Sequence, residues 1–326
     1  MALEANSLVI TDRGWLPAKF LQVGDYLFSQ KGEPKQVKTI QLYDEGPCYE
    51  VTLDDGVTVY GDQNMTLHVQ TQSTRNILGR GFKAAERTRT VQELLEEGLE
   101  LVNGATRYKY SMPTCEPVAL PEKSLPVPPF VVGLWFGKTT QSNNFIVLKT
   151  EAEALIKHLR KYGYTAKKLQ ARGEKIILEM RPNIAHSFLT KYSEKCIQIP
   201  DEYLMGSIEQ RLLLLKGFFY LRKHSYSKKT GVYLIKLNDF SLIKRLQGVI
   251  ESLGVRTTLI ERPRGNKYEM YFKTDLQLTP YELPKIKTTR FKKRFIRKIT
   301  EIGPKKRVHI DADGPFLVGE GFISLC

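Results

Sequence analysis

Short runs of alternating apolar and polar residues, broken by Gly, Asp and Pro, fill the first 71 positions. Residues 7–11 read as a strand closed by Asp12-Arg13-Gly14. Residues 23–28 precede a turn at Lys31-Gly32-Glu33-Pro34, and 36–43 and 48–53 make two further strands. Asp54-Asp55-Gly56 then turns the chain into residues 57–60, a hairpin signal. Short strands at this spacing predict a compact all-β module. Residues 91–101 carry helical spacing, and prolines at 113, 117, 121, 126, 128 and 129 exclude regular helix and mark a boundary. From Phe130 helices alternate with strands. Residues 150–162 form a helix with Ala152, Leu155, Ile156 and Leu159 on one face, and 176–180 a strand. Residues 207–220 and 239–253 are helices, the second stopped by Gly254, and 255–261 and 267–273 are strands. The order helix–strand–helix–strand occurs twice, which indicates an internal duplication. Residues 308–325 are β-rich again. Three stretches result: 1–128, 129–284 and 285–326, with β-character at both ends around a mixed centre.

Charge adds a partner class. Lys and Arg number 50 against 35 Asp and Glu, a formal charge of +15, which favours nucleic acid first and an anionic membrane surface second. A basic surface with no partner gives the same count. The excess is concentrated after Lys285, in Lys287, Arg290, Lys292, Lys293, Arg294, Arg297, Lys298, Lys305, Lys306 and Arg307. Phe291, Phe295, Ile296 and Ile299 are interleaved, so part of this tail packs. With 41% hydrophobic residues, wholesale disorder is excluded. No run reaches the ~18 apolar residues of a membrane span, and the first residues lack the pattern of a signal peptide. Cys48, Cys115, Cys196 and Cys326 lie far apart without CxxC spacing, so neither structural zinc nor a disulfide framework is expected. The expectation is an intracellular monomer, in the cytoplasm or with DNA, without a cofactor.

The layout resembles an intein, an all-β Hint fold made discontinuous by an inserted LAGLIDADG homing endonuclease domain, itself an α/β unit with a pseudo-twofold axis. Residues 2–11 resemble the first splicing block, with Val23-Gly24-Asp25 its continuation, and 54–65 the second. Residues 310–318 and 321–326 resemble the last two. Residues 131–138 and 215–223 resemble the two LAGLIDADG helices, where Gly133 and Gly217 allow close packing at the axis. Two buried helices of an unrelated α/β domain would share that apolar pattern. The flanking blocks favour the resemblance.

The resemblance implies protein splicing, host-protein segments on either side and magnesium-dependent cleavage of double-stranded DNA. The residues at the implied sites depart from that chemistry. Splicing needs a thiol or hydroxyl at the first position to attack the preceding carbonyl, and Ala2 stands there. The groups that polarise the scissile amide and protonate its amine are replaced by Asp62 and Met65, and a thioether donates no proton. A slipped register would offer His68 instead, or give Cys48 a role. The late acidic position holds His309, and the terminal His-Asn pair reads Leu325-Cys326 unless Cys326 opens the downstream flank. The metal-binding acids of the two helices are replaced by Lys138 and Arg222, which repel a metal but pair with phosphate. Magnesium is expected only with an active nuclease. The expectation is a chain inactive in splicing and DNA cleavage, binding DNA through Lys138, Arg222, Lys223, Lys228, Lys229, Lys292, Lys293 and Arg294. Two readings stay open beside it: a non-catalytic DNA-binding or structural protein on this scaffold, and an active intein in a shifted register.

Overall fold

The structure is a computed structural model that describes residues 1–82, 87–101, 107–137, 144–183, 198–222, 226–227, 229–262, 267–279 and 290–325. Two six-stranded sheets are each built from both ends of the chain. One has the order Ser111–Pro113, Lys293–Ala312, Leu3–Glu4, Thr58–Gly61, Pro34–Leu53, Tyr26–Phe28. The other runs Gly14–Pro17, Leu8–Thr11, Phe316–Val318, Ile323–Leu325, Thr66–Val69, Arg87–Thr90. Alternate residues of these strands enter one core, where Leu3, Val51, Val59 and Met65 meet Ile296, Val308, Val318 and Leu325. The all-β unit is therefore discontinuous in sequence.

Between its two parts lies an α/β unit with a repeated order. Helix Pro129–Gly137, strand Asn144–Leu148, helix Lys149–Arg160 and strands Thr165–Arg172 and Lys175–Arg181 form the first half. Helix Ile208–Tyr220, strand Val232–Leu237, helix Phe240–Ser252 and strands Thr257–Arg262 and Lys267–Phe272 form the second. In both halves the last strand pairs between the other two. The helices start and stop where local chemistry requires. Ser207 and Gln210 form a capping box, Asp239 accepts from the Leu242 amide, and Gly254 leaves the last helix at φ +79. Helices Pro129–Gly137 and Ile208–Tyr220, here the paired helices, cross with their backbones touching. A Cβ at Gly133 would lie 2.8 Å from the Phe218 nitrogen and closer still to the Leu214 carbonyl. One at Gly217 would collide with the Phe130 carbonyl.

The sequence pattern misses two large features. Residues 36–43 and 48–53 belong to one strand of 20 residues, Pro34–Leu53, and much of the basic tail is a second, Lys293–Ala312, paired along it. Pro47 and Pro304 sit opposite each other, and the register shifts between Glu301 and Gly303 and between Lys305 and Arg307. Such irregularities let a strand pass a residue that lacks an N–H, so the Gly-Pro signal bends the ribbon without ending it. The helix expected over 91–101 ends at Glu97, where Gly98 takes φ +73, and Glu100–Leu101 is extended.

The segment after Pro113 joins the two units. The Val118 amide donates to the Ser252 carbonyl at 2.9 Å, and the buried Arg211 guanidinium donates to the carbonyls of Gly206, Ser252 and Val118. On the other side Cys115, Val118 and Leu120 pack with Ile10, Phe28, Leu317 and Phe322 of the β-unit.

Candidate functional site

Pairing of Leu3 with both Val308 and Gly61 carries Ala2 between His309 and Asp62. The Asp62 amide donates to the Ala2 carbonyl at 2.8 Å, and His309 Nδ1 lies 2.7 Å from the Met1 carbonyl oxygen. A carbonyl only accepts, so Nδ1 is the protonated ring nitrogen in this contact. Both carbonyls flanking Ala2 are thereby tied, and Ala2 itself is 4% exposed. Gly61 makes the approach possible, since a Cβ there would lie 2.9 Å from the Ala2 oxygen and 2.7 Å from Met65 Sδ.

Of the sequence-derived positions, Asp62 and His309 thus meet at the Met1–Ala2 bond, with roles that sequence reading did not assign. Asp62 acts there through its backbone, while its carboxylate accepts from the Asn64 amide at 3.1 Å. Met65 is fully buried in the β-core. Leu325 is also buried and pairs with Leu67, two residues past Met65, while Cys326 lies outside the described residues. His68 alternates to the other face of its strand from the buried Leu67 and Val69 and stands opposite Thr88. Cys48 is buried one residue before Tyr49, which pairs with Gly61, and burial pushes its thiol up from the ordinary value. A raised pKa disfavours the thiolate that a nucleophile requires.

At the inserted unit, the carboxyl end of the first paired helix meets the chain just after the second. Arg222 Nε donates to the Gly137 carbonyl at 2.7 Å, and its guanidinium lies 4.8 Å from the Phe218 ring centre. Burial lowers its pKa from the ordinary value. A guanidinium capping a helix carboxyl end satisfies a carbonyl left open there. Among the described residues, no group of three or more His, Cys, Asp or Glu is placed to hold a metal ion. Lys138, Lys223 and Lys228 lie outside the described residues.

Of the basic tail, Lys292 pairs with Asp275 at 3.0 Å with half its side chain exposed and Lys293 is half-buried; in the inserted unit Lys229 is exposed. Arg294 is a correction. Its side chain is 3% exposed and faces inward, 2.7 Å from Asp55 and 3.5 Å from Glu251, so it is not a DNA contact. Arg256 completes this cluster, reaching Asp55 at 3.2 Å and Asp54 at 3.1 Å. Asp54 and Asp55 form the β-unit hairpin, whereas Glu251 and Arg256 belong to the inserted unit. The cluster therefore clamps the two together. A hairpin motif and an isolated Glu in an amphipathic helix carry no sequence signal for such a contact.

Among the described residues, no helix is long and apolar enough to cross a membrane. No protein-family model matches the chain. In sequence it is similar to the replicative DNA helicase DnaB of Mycobacterium intracellulare, 25% identical over 320 residues. That match takes in 90% of this chain and 52% of the helicase, so the chain spans about half the length of that curated relative. Among solved structures it is similar to the MchDnaB-1 intein, 24% identical, covering 32% of this chain and 65% of that one, TM-score 0.22. It is also similar to a mesophilic variant of the homing endonuclease I-DmoI, 13% identical, covering 49% and 93%, TM-score 0.33.

Proposed function

We propose that this chain is an intein carrying a LAGLIDADG-type unit, that it lacks both splicing and nuclease chemistry as written, and that it retains the capacity to bind double-stranded DNA. The observation that carries the reading is the Met1–Ala2 bond. It is held between His309 and the Asp62 amide in a β-unit assembled from both ends of the chain, with only a methyl group where a nucleophile is required. The repeated inserted unit and the sequence match along most of the chain support it. That match also makes a replicative helicase the proposed source of the flanking host segments; the helicase activity is no part of this chain's proposed function.

The nuclease half is proposed inactive because Arg222, a cation held against a helix end, stands where a metal-binding carboxylate is required. DNA binding is supported by the exposed Lys167, Lys168 and Arg172 on the outer strand Thr165–Arg172 of the first half and by the exposed Lys175 at the start of its central strand, together with Lys229 and Lys292. Binding to duplex DNA is expected to weaken with salt at a log–log slope of about −0.9 per phosphate neutralised. Supercoiled plasmid carrying the bound sequence is expected to stay intact in magnesium. Flat binding between ~50 and ~200 mM salt would remove the DNA-binding half of the reading, and linear plasmid would remove the claim of lost cleavage.

A further inference from the structure

The contact between His309 and the Met1 carbonyl goes beyond a missing nucleophile. We infer that His309 is the group that polarises the upstream junction carbonyl, so that this function survives the replacements at Asp62 and Met65. The inference rests on the intein reading and deepens it at one bond.

Three observations carry it. The Nδ1–H of His309 donates to the carbonyl oxygen on which negative charge would develop during attack, at 2.7 Å. The next carbonyl, that of Ala2, is fixed by the Asp62 amide at 2.8 Å, so the junction peptide is held on both sides. The position is shielded, with Ala2 4% exposed, and a hydrogen bond gains strength where water is excluded. Val308 opposite Leu3 sets the ring in place, so the arrangement is a property of the strand register.

A thiol placed at position 2 would use this geometry directly. Its sulfur bonds to the Met1 carbonyl carbon, the bond from that carbon to the residue-2 nitrogen breaks, and the thiol proton ends on the released amine. The product is a thioester, and no oxidant or reductant is consumed. Hydroxylamine nitrogen then bonds to the same carbon, the carbon–sulfur bond breaks, the sulfur takes a proton from that nitrogen and leaves as the thiol, and the upstream segment is released as a hydroxamate, which makes the first step measurable.

The test uses the full chain with a short segment attached ahead of Met1. Ala2→Cys alone is expected to release that segment in hydroxylamine, followed by intact mass. Adding His309→Ala is expected to slow release about 100-fold, the usual effect of removing one such donor. His309→Asn, which keeps an N–H near the Nδ1 position, is expected to recover at least about tenfold of the loss. Equal rates with and without His309 would overturn the inference and leave the intein reading intact. No release from Ala2→Cys alone would overturn the inference as well, and would likewise leave intact the reading of an intein without splicing chemistry. A measurement on the unsubstituted chain avoids any folding defect: the ¹⁵N spectrum of His309 is expected to show a protonated Nδ1, and a ring protonated only at Nε2 would also overturn the inference.

Discussion

Alanine at Gly133 or Gly217 is expected to part the paired helices and lower the stability of the inserted unit by about 3 kcal/mol or more. The added methyl group would meet backbone atoms of the opposite helix, Leu214 and Phe218 in one case and Phe130 and Leu134 in the other. Backbone inside a helix has no rotamer to change, so a whole helix must shift, and with it Phe130, Leu134, Leu215 and Phe218 in the surrounding core. For a unit of this size the loss corresponds to a fall of about 6–12 °C in its melting transition. Gly248 is the internal control. It lies within helix Phe240–Ser252 with nothing near the position of a Cβ, so Gly248→Ala is expected to be neutral or to stabilise by about 0.5–1 kcal/mol. Thermal unfolding followed by circular dichroism checks both, and equal melting temperatures for Gly133→Ala and the parent would refute the close crossing.

Replacing Arg294 with methionine is expected to cost about 3–5 kcal/mol, because it leaves Asp55 and Glu251 buried without their shared cation. Arg256 still reaches Asp55, so the carboxylate most exposed to the loss is Glu251. Burial pushes the Glu251 carboxyl above its usual value, and Arg294 opposes that rise. Without the arginine the folded-state pKa rises further. A carboxyl whose pKa is raised on folding destabilises the fold where it is charged and is relieved on protonation. The deficit of the variant against the parent is therefore expected to shrink as pH falls through the raised pKa. Denaturant unfolding at several pH values measures this. A surface pair gives the contrast: Lys168→Ala, which removes an exposed contact to Glu153, is expected to leave the unfolding transition almost unchanged.

These two effects mark the border between what the sequence displays and what it hides. Gly133 and Gly217 stand in apolar helices at corresponding places of a repeated pattern, so their role in close packing is legible from local spacing. The capping residues Ser207 and Asp239 and the stop at Gly254 are local in the same way. The arginine cluster joins residues almost 240 positions apart, and nothing near Arg294 distinguishes it from its solvated neighbours. The same distance explains the two 20-residue strands. Each looks broken by Gly and Pro when read alone, and only the pairing of Pro47 with Pro304 shows that the ribbon continues. At the junction, sequence order brings the right segments together, but the hydrogen-bond partners depend on register. His309 reads as a lost acid, and in the fold it is the group that touches the junction carbonyl.

The account stands most directly on the fate of the two junctions. Intact mass of the full chain, expressed between two short flanking segments, is expected to show a single species equal to the unprocessed precursor. A ligated product with the chain excised, or release of either segment, would contradict the claim that the splicing chemistry is absent from this chain as written.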